Sequence, residues 1–232
     1  MKKSAAILFF YALTHLISAQ PVGQDAQYNL NSVGGAANNF RSFDNRYTGV
    51  IGSPFLLSYW QTGEMVFKND KKLGNIPLKY DNYRKELMVK RPQGDSVFVN
   101  MAGVKEFMLG NSKFSRLAFG NEEDAKLYGD VFFEMMFEGK VKWLLWHKKT
   151  LQKANFQGAY NAGKTSDELT NEKVYFIQKA DKSVVKIKLT QKSVTEALSD
   201  QSAKIKWYFT QEKPDLKKPI DFLKLLKFYE SL

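Results

Sequence analysis

The sequence predicts an α+β protein: an antiparallel β-meander sheet followed by two or three C-terminal α-helices. Three observations carry that expectation. From residue 47 to about 119, short apolar runs alternate with turn residues, at intervals too short to hold helices between them. From 174 to 189 a period of two is explicit, with Val185, Ile187 and Leu189 alternating with Lys186 and Lys188. After Leu189 the apolar spacing becomes that of a helix.

The strand segments in the first stretch are FLLSYW, EMVFK, IPLKY, ELMVK, SVFVN, VKEFML and RLAF. Thr62-Gly63, Asn69-Asp70, Asp81-Asn82, Gln93-Gly94-Asp95 and Gly110-Asn111 punctuate them as turns. Parallel pairing needs long crossovers, which these spacings do not provide. VFFEMMFEGKVKWLLWHKK, residues 131–149, reads as a hairpin. Glu138-Gly139-Lys140 supplies its turn, and a glycine inside a helix would cost about 1 kcal/mol relative to alanine. VYFIQ and VVKIKL, joined by KADKS, form a second hairpin. Three helical segments follow: QKSVTEALSD, QSAKIKWYFTQEK and KPIDFLKLLKFYESL. In the last, Ile220, Leu223 and Leu226 join Phe222, Leu225 and Tyr229 on a broad apolar face. Asp221, Lys224, Lys227 and Glu230 fall on the other. Pro219 suits a first helical turn and Pro214 separates this helix from the one before. The apolar face is expected to dock onto the sheet.

The chain opens with MKKSAAILFFYALTHLISAQ. Two lysines, an apolar run from Ala5 to Leu13 and a small residue at Ala19 predict a signal peptide over 1–19. The run is shorter than the ~20 residues a spanning helix needs. Residues 20–46, rich in Asn, Gly, Ala and Gln, are expected to form a flexible N-terminal arm. The antiparallel β domain is assigned to 47–190 and the helices packed on it to 191–232. The sequence contains no cysteine, so neither a disulfide nor a lipid-modified cysteine is available. The expected location is exported: periplasm, or extracellular and outer-membrane associated. The formal charge is +11, and loss of Lys2 and Lys3 with the leader lowers it by two, to +9. Lysines far outnumber the five arginines, which reads chiefly as a hydrated surface able to attract polyanions.

Three stretches carry a resemblance: GVIGSPFLLSYWQTGEMVF at 49–67, LKYDNYRKELMVK at 78–90 and the terminal DFLKLLKFYESL. Together with a leader ending in Ala-Gln, they resemble a family of exported proteins of Bacteroidota that has no established activity. The resemblance implies a compartment and a layout, and brings no functional residues with it.

Several motifs bear on chemistry. GAYNAGKT, residues 158–165, fits the phosphate-loop pattern, in which Lys164 would reach phosphates and Thr165 would hold magnesium. That loop works only between a buried strand and a helix. Here the upstream KTLQKANFQ is polar and the downstream SDELTNEKV lacks an apolar stripe, so an exposed loop is expected. His147 is the histidine left once the leader, with His15, is removed. A Ser-His-Asp triad would have to use it, and no G-x-S-x-G elbow accompanies any serine. A strand end emerging into solvent accounts for it. Glu134 and Glu138 would share a strand face about 13 Å apart, beyond the separation of glycosidase pairs, or become neighbours if the segment is helical. Glu122, Glu123 and Asp124 read as a helix start or a solvated turn. Lys142-Trp143-Trp146-Lys148 and Lys204-Lys206-Trp207-Tyr208 interleave charge and aromatics. They are either core aromatics with outward lysines or exposed stacking platforms.

The sequence thus assigns no catalytic, cofactor-binding or metal-binding residue. It points to a non-enzymatic exported module of the cell envelope. The expected partner is an envelope protein or an anionic polymer, with no specific nucleic acid. The alternative is a carboxylate-dependent hydrolase acting on envelope or extracellular polymers, which would need two converging acids.

Overall fold

The computed structural model describes residues 40–42, 47–155 and 164–232. The leader 1–19 lies outside the described residues, as does most of the arm 20–46. Eleven strands form one antiparallel sheet: β1 (Phe40–Ser42), β2 (Gln61–Phe67), β3 (Lys72–Asp81), β4 (Glu86–Lys90), β5 (Ser96–Val99), β6 (Val104–Leu109), β7 (Ser112–Ser115), β8 (Phe133–Glu138), β9 (Lys142–Gln152), β10 (Glu168–Gln178) and β11 (Val184–Ile187). Among the described residues four α-helices accompany them: α1 (Glu122–Tyr128), α2 (Gln191–Ala197), α3 (Ser202–Glu212) and α4 (Pro219–Glu230). The architecture is α+β, with three of the four described helices after the last strand. The fourth, α1, lies inside the strand region. Asn121 caps it through a bond from the Asp124 amide, with Glu122, Glu123 and Asp124 in its first turn.

The strand order is β1-β5-β4-β3-β2-β6-β7-β8-β9-β10-β11. Two meanders, β2–β5 and β6–β11, therefore meet at β2–β6. Between β5 and β6 lie three strands, a span of roughly 19 Å across a flat sheet. The connection from Val99 to Val104 runs through a short 3₁₀ turn, Met101–Gly103, and reaches only about 13 Å. The sheet must therefore roll. The roll brings Leu73, Leu78, Leu87, Val97, Val104, Phe107 and Phe114, from five different strands, into one buried core. The turn after β3 completes it: the Asn82 side-chain amide donates to the His147 carbonyl of β9 at 2.9 Å. Buried Asp81 holds that turn, accepting from Tyr47 at 2.5 Å and from the Arg84 amide at 2.8 Å.

Beyond the roll, β8–β11 are covered on both faces. On one, Trp143 and Ile177 pack under α2–α4, with the Phe222 ring meeting the Trp143 indole edge-on at 4.5 Å. On the other, Phe133, Leu144 and Phe176 pack beneath Leu117, Phe119 and Tyr128. On α4, Phe222, Leu225, Leu226 and Tyr229 are buried, whereas Ile220, placed on the apolar face by its spacing, is 57% exposed in the first turn.

Some local expectations need correction. FLLSYW is not a strand; it crosses the end of β3 through a single bridge from Phe55 to Asp81. RLAF is likewise irregular, and SKFS takes its place as β7, because the Gly110-Asn111 turn pairs it directly with β6. Gly110, at φ 58°, occupies the first central position of that turn, where a left-handed backbone is required. Thr62-Gly63 is no turn: Gly63 lies inside β2 at a register shift, and a Cβ there would collide with the Met108 carbonyl oxygen. Phe40–Ser42, within the expected arm, pair with β5.

Candidate functional site

His147 does not emerge at a strand end. It sits within β9, half-buried, with its Nε2 2.5 Å from Glu134 Oε2 on β8. Ser112 of β7 donates to the other carboxylate oxygen at 2.6 Å. The register explains the meeting. Phe114 pairs with Glu134, and Glu134 with Leu145, so their side chains share a face with His147 two residues further along β9. The cluster lies beside Phe114 of the rolled core, on the face where α2–α4 cover Trp143. Burial pushes the Glu134 carboxyl up, but hydrogen bonds from His147 and Ser112, with the charges of His147 and Lys173, outweigh it and leave it below its ordinary value. The order of contacts is serine, glutamate, histidine. A nucleophilic triad needs histidine in the middle to take the serine proton, so these three are not arranged as one.

Glu134 and Glu138 also separate. A bulge between Met135 and Phe137 adds a residue, so Glu134 pairs with Leu145 and Glu138 with Lys142. Leu145 and Lys142 face opposite sides of β9, and the two acids follow them. The shared face expected from a regular strand is lost. Glu122 and Glu123 are exposed and Asp124 is half-buried at the start of α1.

Residues 156–163 lie outside the described ones, and with them most of the octapeptide 158–165. Lys164 and Thr165 lie between β9 and β10, which pair antiparallel over eleven residues each. The upstream segment is thus a strand down to Gln152, and the next element among the described residues is another strand. Lys164 pairs with Glu168 at 2.5 Å and also bonds Gln152. Among the described residues no three His, Asp or Glu side chains gather as a metal-holding group.

The two lysine–aromatic motifs part company. Trp143 is 2% exposed and Trp207 is 56% exposed. Around Trp143 both faces of β9 are covered, whereas α3 turns one side to solvent.

Positive charge converges at one end of the sheet. Because Lys142 pairs with Gln178, the β8–β9 turn and the β10–β11 turn lie side by side. The segment leaving β7 joins them, held by a bond from the Gln178 amide to the Ala118 carbonyl at 2.8 Å. These three segments enclose a cavity of about 260 Å³ whose lining includes Arg116, Lys140, Lys142, Lys179 and Lys182 and no acid. Lys142 is paired with Glu138 at 2.6 Å. Lys140, Lys179 and Lys182 make no salt bridge among the described residues. The Arg116 Nε is buried without a hydrogen-bond partner among the same residues, its guanidinium lying 4.6 Å from the Phe132 ring centre. Two acids stand near the rim. Glu230 accepts from the Lys140 amide at 2.7 Å, and Asp181 is taken up by Ser183. Both turns are thus held by hydrogen bonds to acids, while the Lys140, Lys179 and Lys182 ammonium groups make no salt bridge among the described residues.

No protein-family model, curated protein or solved structure matches this chain. The functional reading therefore rests on the geometry.

Proposed function

We propose that this protein is an exported, non-enzymatic binding module of the cell envelope that takes an anionic ligand at the basic end of its sheet. The observation that carries the reading is the cavity lined by Arg116 and four lysines, with no acid in its lining. Lysines act as hydrated point charges, and the Arg116 guanidinium, held over the Phe132 ring, adds a fixed cation beside them. The net positive charge, +11 for the full chain and two less without Lys2 and Lys3 of the leader, adds long-range attraction for a polyanion. The leader-like first nineteen residues and the resemblance to exported Bacteroidota proteins support the compartment. An anionic polymer of the envelope fits this chemistry better than a neutral one.

The test is calorimetric titration of the purified protein with dextran sulfate at low and high salt. Exchanging Lys140, Lys179 and Lys182 together for Gln should weaken binding roughly tenfold or more. Exchanging exposed Lys71, Lys72 and Lys90 of the rolled half removes the same charge and should leave most of the affinity. Equal losses in the two triple variants would contradict a localised site. Lys182→Gly serves as a folding control, since Lys182 holds a left-handed backbone at φ 66° that glycine adopts freely.

A further inference from the structure

We infer that α2 and α3, with the exposed Trp207, form a second ligand site, separate from the basic cavity, that takes an acidic glycan chain. Three observations meet there. Trp207 is 56% exposed, yet its indole is held, stacking on Phe228 at 6.0 Å and 30°. Phe228 in turn stacks on Tyr208 at 4.8 Å and 29°. A ring fixed on one side and open to water on the other is a platform for a flat apolar surface such as the face of a sugar.

Beside it, α2 and α3 enclose a groove of about 700 Å³. Its walls carry the hydroxyls of Thr195, Ser199, Ser202 and Thr210, all able to accept from sugar hydroxyls, and Thr210 alone among them already donates its proton, to the Lys206 carbonyl. Lys192 and Lys206 line the same groove against one acid, Glu196. Lys206 belongs to both features, since it precedes Trp207 on α3. On α3, Lys206 and Thr210 are one turn apart and face the groove, and Trp207 stands about 100° further round. A chain leaving the groove over this ridge meets the indole next. Exposed Lys204 adds charge close to the platform.

The same features argue against other occupants. A lipid surface is met by a continuous apolar face, and the groove walls here are hydroxylated. Single-stranded nucleic acid is held by successive aromatics, and α3 exposes one. An excess of lysine over acid selects a sugar chain bearing carboxylates over a neutral one.

The experiment titrates the purified protein and its Trp207→Ala variant with polygalacturonate, and reads binding by calorimetry and acrylamide quenching of tryptophan emission. Circular dichroism checks that the variant is folded. Trp207→Ala should weaken binding about tenfold. In the parent, the emission that Trp207→Ala removes should become shielded from acrylamide when polygalacturonate is added. Neutral dextran, oligo-dT and phosphatidylglycerol vesicles should not shield it. The inference is overturned if the variant binds polygalacturonate within twofold of the parent, or if oligo-dT or vesicles give equal shielding. The variant lacking Lys140, Lys179 and Lys182 should keep the shielding, so failure at the cavity and failure at Trp207 are told apart.

Discussion

The two halves of the sheet solve the same burial problem in opposite ways. In the rolled half, β2–β7 turn alternate side chains toward one interior, and the sheet is its own cover. In the other half, β8–β11 are sandwiched, with α2–α4 on one face and the segment around α1 on the other. The sequence differs accordingly. A strand buried on one face alternates, as in IPLKY, while one covered on both reads as a continuous apolar run, as in WLLW. The difference teaches where charge can go. A self-closing roll leaves its turns scattered, whereas the sandwiched strands place two turns and a crossing segment together at one end, where Arg116 and the lysines gather. The helices that cover the sandwich add a groove and an exposed indole.

The largest expected effect is on how each half depends on its cover. Trp143→Ala removes the side chain on which Phe222 of α4 rests, and should cost about 3–5 kcal/mol in denaturant unfolding. The matching change in the roll is Gly63→Ala, which drives a Cβ against the Met108 carbonyl and within 2.8 Å of a Leu78 methyl. Overpacking of that kind should cost about 2–3 kcal/mol. Trp143→Ala should also expose the C-terminal helices to hydrogen exchange while β2–β5 stay protected; if both halves open together, the division is wrong.

A smaller effect concerns the seam between the halves. The Glu134 carboxyl is held below its ordinary value of 4.5, so its contribution to stability is complete above that pH and fades as acid protonates it in the folded state. Glu134→Gln should cost about 1.5 kcal/mol at neutral pH and flatten the fall of Tm below pH 4.5. A variant whose Tm tracks the parent through acid would show that the Ser112–Glu134–His147 cluster stabilises nothing.

Much of the chain was legible because local signals agreed. Glu138-Gly139-Lys140 marked the β8–β9 turn, alternating Val185 and Ile187 marked β11, and the changed period after Leu189 marked three helices. Other features depend on contacts that local pattern does not carry. β9 and β10 extend through Lys148–Gln152 and Glu168–Lys173, where most side chains are polar and half-buried or exposed, and the backbone ladder, with buried Leu169 opposite Leu151 and pairs such as Lys148–Glu172, continues the strand. The roll follows from a short β5–β6 connection whose meaning appears only once the strand order is known. His147 meets Glu134 because a register places them so, and the bulge that parts Glu134 from Glu138 leaves no mark in composition. The cavity joins residues 116, 140 and 182, which no spacing rule connects.

The most direct test of the account maps where a polyanion lands. Backbone amide NMR shifts of the purified protein, followed as short sulfated dextran is added, should move first and most at residues 116–118, 139–142 and 178–182. The rolled half should change little, and the shifts should fade as salt is raised. Shifts spread evenly over the lysines of both halves, with those three segments unmoved, would contradict it.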